Sequence, residues 1–193
     1  MRRFVVFTLT TIAFGLAALT TLSWALQPRG VGRPVAPDPA THPEAVVQVY
    51  GADVWGVRGR FAIHTWIVTK AAGADRYRRY QVIGWRLRRG LPVVSISDDN
   101  PDGDWFGSEP VLLLDRRGPQ AEPLVEAIHQ AAVAYPYADE YVMWPGPNSN
   151  SFTAWIGLEV PTLGLELPAK AIGKSWMHDA YAEARDLAST RGR

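Results

Sequence analysis

Cysteine is missing from this chain. Its absence excludes disulfide bonds, thiolate metal sites and a cysteine nucleophile, and it leaves the redox compartment open. A large excess of charge of either sign is missing as well, since the formal net charge is +1 and the arginines are interleaved with aromatic residues. We therefore expect no nucleic-acid partner. Without disulfides, stability must come from the core, in which the eight tryptophans are prominent.

Long apolar runs are absent except near the N-terminus. There, Arg2 and Arg3 precede an uncharged stretch, Phe4–Leu26, which at roughly 1.5 Å of helix rise per residue can cross a hydrocarbon core of about 30 Å. The basic flank predicts a cytoplasmic N-terminus and an exported remainder. Ser23 and Ala25 also suit signal-peptidase cleavage, but the run is longer than a usual signal-peptide core. We expect an inner-membrane anchor with the domain in the periplasm, or a secreted protein if cleavage follows Ala25.

The chain therefore divides into three parts. After a signal anchor or signal peptide at residues 1–26, residues 27–44 are rich in Pro, Gly and small side chains and predict a tether. Residues 45–193 predict a single α+β domain, with a small antiparallel sheet and packed helices. The 47% hydrophobic content of the chain is enough for one core of this size.

Two neighbouring segments predict a β-hairpin. Gly59–Lys70 and Tyr77–Arg89 both alternate in polarity, and Ala71–Asp75 supplies the turn between them. The odd-numbered apolar residues of both segments are expected in the core: Phe61, Ile63, Ile67, Ile83, Trp85 and Leu87.

His64 lies on the other, even-numbered face of this hairpin, together with Trp66. Pairing about the turn places His64 opposite Val82 or close to it, with Tyr80 and Gly84 on the same face. The absence of a side chain at Gly84 would let another backbone approach the imidazole closely. A slip of one residue in the register would break this arrangement.

Two helices are expected further along the chain. Pro119–Ala134 has apolar residues at helical spacing and a proline suited to its first turn. The second helix, from about Ser149 to Glu159, begins inside Trp144–Phe152, where a Pro/Gly turn leads through Asn-Ser into an apolar pattern. Asn148 is a good N-cap residue, so Ser149 stands where the helix dipole and free amides favour negative charge.

A hydroxyl at such a position needs a base to take its proton. Ser149 is the candidate nucleophile and His64 the candidate base, with Tyr80 or Gln81 on the partner strand as the group that orients the imidazole. The alternative is structural, because Asn-Ser-Asn-Ser before an apolar run is also typical of an ordinary capped helix. His64 would then be a half-buried histidine that is hydrogen-bonded to backbone.

Four segments carry a resemblance to a known family: Ala62–Ile67, Val82–Arg86, Trp105–Gly107 and Trp144–Trp155. They resemble the bacterial domain of unknown function 3750 family. The similarity spans roughly Val46 to Gly173, which is nearly the whole predicted domain. It implies membership of that family and no particular activity.

A more distant resemblance is to circularly permuted papain-like proteins, including the NlpC-like and lecithin-retinol acyltransferase branches. Those proteins place a histidine on an early strand and a nucleophile later, as Asn-Cys-x-x-aromatic at a helix N-terminus. His64 matches that histidine, and Asn148–Phe152 matches the later pattern with Ser149 at the cysteine position. The resemblance implies a permuted papain-like fold, with amidase, peptidase or acyltransferase chemistry if serine replaces the thiol.

The segment after the hairpin has the spacing of an EF-hand calcium loop. Its oxygen ligands, its glycine and its closing carboxylate would be Asp98, Asn100, Asp102, Gly103 and Glu109. Pro101 and Pro110 interrupt the usual backbone, however, and no pair of helices is predicted around the loop. We expect a solvated acidic turn, with calcium as the alternative, and no other metal or cofactor.

Six arginines cluster on the second hairpin segment and its ends: Arg76, Arg78, Arg79, Arg86, Arg88 and Arg89. They could contact anionic lipid or cell-wall polymer near the membrane. The favoured interpretation is an exposed strand that its charges keep soluble and non-aggregating.

Two functions follow from these patterns. The first is an exported, membrane-anchored envelope protein that binds a peptide, glycan or lipid group in a groove between His64 and Asn148–Phe152. The residues expected to line that groove are Asn148, Asn150, Gly84 and Trp66. The second is a hydrolase or acyltransferase acting on amide or ester bonds, in which Ser149 attacks, His64 serves as base and helix amides hold the oxyanion.

Overall fold

The computed structural model describes residues 36–191 of the chain. The predicted anchor at 1–26 and most of the predicted tether lie outside these residues. Within them, no helix is both long and apolar enough to cross a membrane.

The centre of the domain is a five-stranded sheet in which every neighbouring pair is antiparallel. Its strands are β1 (Val46–Asp53), β2 (Ile63–Lys70), β3 (Arg78–Val82), β4 (Val94–Asp98) and β5 (Val111–Arg117). They lie in the order β4-β3-β2-β1-β5. The expected mixed α+β architecture with a small antiparallel sheet is therefore confirmed.

Among residues 36–191, three α-helices accompany the sheet: α1 (Glu122–Val133), α2 (Ser149–Glu159) and α3 (Lys174–Arg191). The first two agree with the sequence prediction in position, but Pro119 lies in a separate 3₁₀ turn, Gly118–Gln120, and the proline in the first turn of α1 is Pro123. This agreement has a local cause, because both helices begin at residues that suit a helix N-terminus.

The sheet is buried on both faces of its central strands. On one face, which we call the helix side, Ile67 and Tyr80 pack with Phe152 and Trp155 of α2 and with Ile128 of α1. On the other face, which we call the loop side, a smaller core is built around these residues: Val46, Tyr50, Trp66, Val68 and Tyr77. Residues 99–110 run across it, and the Trp66 indole Nε1 donates a hydrogen bond to the Pro101 carbonyl (2.8 Å).

The register of the hairpin differs from the prediction by one residue. Ile67 pairs with Tyr80 and Thr69 with Arg78, so the even-numbered residues of β3 share a face with the odd-numbered residues of β2. Tyr80 is therefore on the helix side, whereas the neighbours of His64 place it on the loop side. Because side chains alternate along a strand, a shift of one residue separates two groups that were expected on the same face.

The second hairpin segment is also shorter than predicted. β3 ends at Val82, and Gly84–Arg89 forms a 3₁₀ turn closed by Gly90 with a left-handed φ of 67°. A Cβ atom at Gly84 would lie 2.6 Å from the Tyr141 ring, so the close approach that this glycine permits is used by a side chain of the domain itself. Trp85, expected in the core, is 43% exposed as a result.

The first hairpin segment likewise begins later than predicted. Residues Gly56–Arg60 form a 3₁₀ turn, and β2 starts only at Ile63. Phe61, expected in the core, lies before the strand and is 70% exposed.

Candidate functional site

The Asn148-Ser149 motif forms the N-terminus of α2 through a capping box. The Asn148 side-chain oxygen Oδ1 accepts hydrogen bonds from the amides of Asn150 (2.9 Å) and Ser151 (3.1 Å). In return, the Asn148 amide donates to the Ser151 hydroxyl (3.2 Å). The predicted N-cap is confirmed, and it satisfies amides that the helix itself leaves unpaired.

The two asparagine side chains also hold three segments of the domain together. Asn148 Nδ2 donates to the carbonyls of Met143 (3.0 Å) and Ile172 (3.1 Å). Asn150 Nδ2 donates to the carbonyls of Ile63 (3.0 Å) and Ile172 (2.8 Å). Both side chains are buried. Their polar atoms are engaged within the protein, which makes the two asparagines parts of the fold more than groups offered to a ligand.

We expect Gly173→Ala to lower the free energy of unfolding by about 2–4 kcal/mol, as strain and overpacking add. Gly173 has a φ of 95°, and a Cβ there would lie 2.3 Å from Asn148 Nδ2. The matched control is Gly73→Ala, because Gly73 has a similar φ of 74° with no atom within 4 Å of the added Cβ. Urea titrations that gave equal losses for the two variants would contradict the role assigned to Asn148.

Ser149 occupies the first helical position of α2 and is buried. Its carbonyl accepts a hydrogen bond from the Thr153 hydroxyl (3.1 Å). Among residues 36–191, no hydrogen bond joins the Ser149 hydroxyl to His64. The structure therefore places the serine at a helix N-terminus, as expected, without the contact that an activated nucleophile requires.

His64 is buried on the loop side of β2. Its Nε2 lies 3.2 Å from Gln81 Oε1, an acceptor that requires a proton on this nitrogen. Its ring stacks on Trp105, with the centroids 3.6 Å apart and the planes at 6°. Burial, aided by the positive charge of Arg79, lowers the pKa of His64 to about 3. The imidazole is thus held neutral and is a weak base.

The alternation of side chains along β2 explains why Ser149 and His64 do not meet. Thr65, next to His64 in β2, points to the helix side, and its hydroxyl donates to Asn150 Oδ1 (2.9 Å). Alternation along the strand turns His64 away from α2. Of the two predicted orienting groups, Gln81 contacts the imidazole, while Tyr80 lies across the sheet, edge-on to His129.

Trp66 and Gly84, the other expected ligand contacts, are both covered. Trp66 is fully buried, and the Arg79 guanidinium lies 4.2 Å from the centroid of its ring. This buried cation–π contact also removes Arg79 from the predicted exposed arginine cluster. Gly84 lies against the Tyr141 ring.

The residues of the EF-hand-like spacing have other partners. Asp98 pairs with Arg76 (3.6 Å) and Arg78 (3.5 Å), and Asp102 Oδ2 accepts the Ala36 amide (3.0 Å). Within the described part of the chain, no three His, Cys, Asp or Glu side chains come together as metal ligands. The segment covers part of the loop side of the sheet, where Pro101 meets Trp66 and Trp105 meets His64.

Comparison with known proteins identifies the family of this chain. The family model described as protein of unknown function (DUF3750) matches residues 44–176. The chain belongs to this family. The searches of curated proteins and of solved structures found no match to this chain. The permuted papain-like resemblance accordingly stays a prediction.

The matched region of this DUF3750 protein contains an aromatic cluster that sequence reasoning missed. Trp105 stacks on Trp85 with ring centroids 5.7 Å apart, and Phe106 meets both rings edge-on, at 5.1 and 5.6 Å. Phe106 is 61% exposed. The sequence signal for this cluster was the Trp105-Phe106-Gly107 motif, which is one of the segments that carry the family resemblance. Because the motif lies in an irregular segment, the sequence predicted no position for it in the fold.

Proposed function

We propose that this DUF3750 protein is an exported, membrane-anchored envelope protein whose domain binds a ligand and does not catalyse a reaction. The observation that carries the proposal is the stacking of His64 on Trp105 at 3.6 Å. The histidine that would have been a catalytic base instead supports a ring that packs against the exposed residues Trp85 and Phe106. We name these three rings, Trp85, Trp105 and Phe106, the aromatic platform.

The electrostatic state of His64 supports a binding role. A serine hydroxyl needs a base with substantial proton affinity at neutral pH, whereas burial lowers the pKa of His64 to about 3. The hydrogen bond to Gln81 and the stack on Trp105 together fix the ring on the side of the sheet away from α2.

The backbone at Phe106 supports a binding role as well. Its φ is 50°, a left-handed conformation that costs a non-glycine residue about 1 kcal/mol or more. The conformation holds an aromatic ring whose edge contacts Trp85 and Trp105 while most of its surface stays in solvent. Strained backbone that displays an apolar side chain is typical of recognition sites.

The chemistry of the aromatic platform favours ligands with flat apolar faces. Peptide aromatic groups, the C–H faces of sugars and lipid tails all fit such rings, while nearby Arg86, Arg88 and Arg89 would attract anionic groups. The export and anchoring parts of the proposal rest on Arg2, Arg3 and the apolar stretch Phe4–Leu26.

Binding can be tested with solubilised cell-wall glycan, envelope peptides and phospholipid as ligands. We expect Trp85→Ala combined with Phe106→Ala to weaken the best ligand about tenfold or more, because exposed aromatic anchors dominate such surfaces. Ser149→Ala should leave the affinity unchanged. The reverse pattern, loss with Ser149→Ala and none with the aromatic double variant, would refute the proposal.

The alternative function is a serine hydrolase or acyltransferase of permuted papain-like fold. One observation favours it: Ser149 stands at the N-terminus of α2, where backbone amides favour an anion. Covalent labelling by a fluorophosphonate that disappears in Ser149→Ala would establish this alternative. If the parent chain is not labelled, the hydrolase hypothesis is wrong.

A further inference from the structure

One end of the domain carries most of its exposed apolar surface. At this end β1 and β3 finish and β2, β4 and β5 begin, and we call it the aromatic end. Of the twelve large apolar side chains that are exposed in the described part of the chain, all except Val133 and Leu187 lie on segments that meet there. Soluble monomeric proteins rarely concentrate exposed apolar residues in this way.

Five of these residues lie on two segments that touch. Trp55, Val57 and Phe61 lie on the β1–β2 connection, with Trp55 75% exposed, and Met143 and Trp144 lie on the connection from α1 to α2. Arg58 Nη1 lies 4.0 Å from Met143 Sδ and joins the two segments. We call these five apolar residues the tip.

The aromatic platform adjoins one of the two segments of the tip. Tyr141, two residues before Met143, packs its ring against Gly84, and the next residue, Trp85, stacks on Trp105. The platform and the segment that carries Met143 and Trp144 are therefore neighbours held in place by contacts of the folded domain.

The two turns that carry much of this surface are basic. The two 3₁₀ turns at this end, Gly56–Arg60 and Gly84–Arg89, contain five arginines and no acidic residue. Asp53, at the end of β1, is already engaged with Lys170. The acidic side chains of this end belong to other segments, 104–109 and 139–140. Exposed Trp, Phe and Met with a rim of arginine match the interface of an anionic bilayer, where rings enter the headgroup region and guanidinium groups meet phosphates.

We propose that the aromatic end docks onto a bilayer containing anionic phospholipid, with the tip inserted among the headgroups. This inference deepens the proposed binding function, on which it rests, by naming the bilayer surface as the ligand. The domain would then be held at the membrane at two places, the N-terminal segment and the tip, and two membrane contacts together are stronger than either alone.

The absence of cysteine allows a direct test on the full chain. A spin label is attached at Val57→Cys, in the tip, and in a separate protein at Leu187→Cys, an exposed apolar position on α3. Each labelled protein is reconstituted into vesicles of phosphatidylcholine alone and of phosphatidylcholine with phosphatidylglycerol in equal parts. Accessibility to oxygen and to a water-soluble nickel chelate then reports whether the label lies in lipid or in water.

We expect the Val57 label to enter lipid in the anionic vesicles and the Leu187 label to stay in water. Arg58→Gln combined with Arg60→Gln should lower the ratio of inserted to water-exposed Val57 label about 30-fold, the effect of removing two cations from an anionic surface. A label at Met143→Cys provides the same reading from the other segment of the tip, should Val57→Cys disturb folding.

Other outcomes would overturn the proposal. If the protein floats with the vesicles while the labels at Val57 and Leu187 are equally exposed to water, the N-terminal segment binds the membrane but the tip does not, and the docking proposal is wrong. If the protein does not float with neutral vesicles, the anchoring part of the proposed function fails independently. If soluble glycan or peptide shields the Val57 label and anionic vesicles do not, the surface binds that ligand and not a bilayer.

Discussion

Replacing Asn150 with alanine should lower the free energy of unfolding by about 3–5 kcal/mol. The amide group of this residue is the partner of the Ile63 and Ile172 carbonyls and of the Thr65 hydroxyl. Since all of these contacts lie in the interior at the start of α2, water does not replace the lost amide. The Ile63 carbonyl loses this donor, at a cost of about 1–3 kcal/mol, whereas the Ile172 carbonyl keeps Asn148 Nδ2 and the Thr65 hydroxyl keeps Thr153 Oγ1. The two hydrogen bonds lost there add about 1 kcal/mol each.

Urea unfolding followed by tryptophan fluorescence measures this loss. Asn100→Ala is the matched control, because Asn100 is an exposed asparagine whose side chain accepts one long hydrogen bond from Asp102 (3.4 Å). It should change stability by about 0.5 kcal/mol or less. Asn150→Asp should not restore the lost stability, since its carboxylate would face the two carbonyl oxygens of Ile63 and Ile172. A loss below about 1 kcal/mol for Asn150→Ala would mean that the three segments are held by other contacts.

The second large effect concerns the response of stability to acid. His64 has a pKa of about 3 in the folded protein, lowered mainly by burial, against about 6.5 in an unfolded chain. Between these values the unfolded state binds one proton more than the folded state, so stability falls as the pH drops from about 6.5 toward 3. The slope from this single group approaches about 1.4 kcal/mol per pH unit.

His64→Phe separates this contribution from that of the carboxylates. Phenylalanine retains a flat ring against Trp105 but cannot titrate, and it leaves the buried Gln81 amide without its partner. We therefore expect the variant to be less stable at neutral pH and to lose less stability on acidification. The measurement is urea unfolding at a series of pH values, with the exposed His178→Gln as control. Parallel curves for His64→Phe and the parent chain would show that His64 does not drive the acid response.

Ser149 and His64 suggested a catalytic pair in the sequence, but the structure of residues 36–191 shows no hydrogen bond between them. Both halves of the motif are where local patterns placed them: a serine follows an asparagine N-cap, and a histidine lies on a strand. The chemistry required that they share a face, and that depends on pairing and packing between segments distant in sequence. Thr65, one residue along, is the one that contacts α2.

Locally encoded elements were predictable. The capping box of α2, the apolar spacing of α1 and the alternation of β2 each rest on residues within a few positions of one another. β3 was overextended because Trp85 and Leu87 continue an alternating pattern. Just past its end at Val82, Gly84 lies against Tyr141, a residue far away in sequence. No local pattern carries that contact.

The sequence by itself determined the composition of the domain, its family, its antiparallel α+β character and the position of the helix cap, because these follow from short-range propensity and periodicity. Only the tertiary structure decided which face His64 occupies, that Asn148 and Asn150 are engaged internally, and that Trp55, Phe61, Met143 and Trp144 gather at one end. The reason is physical: side-chain alternation makes the face of a strand depend on a register of one residue, and exposed surface is defined only after every segment has been packed.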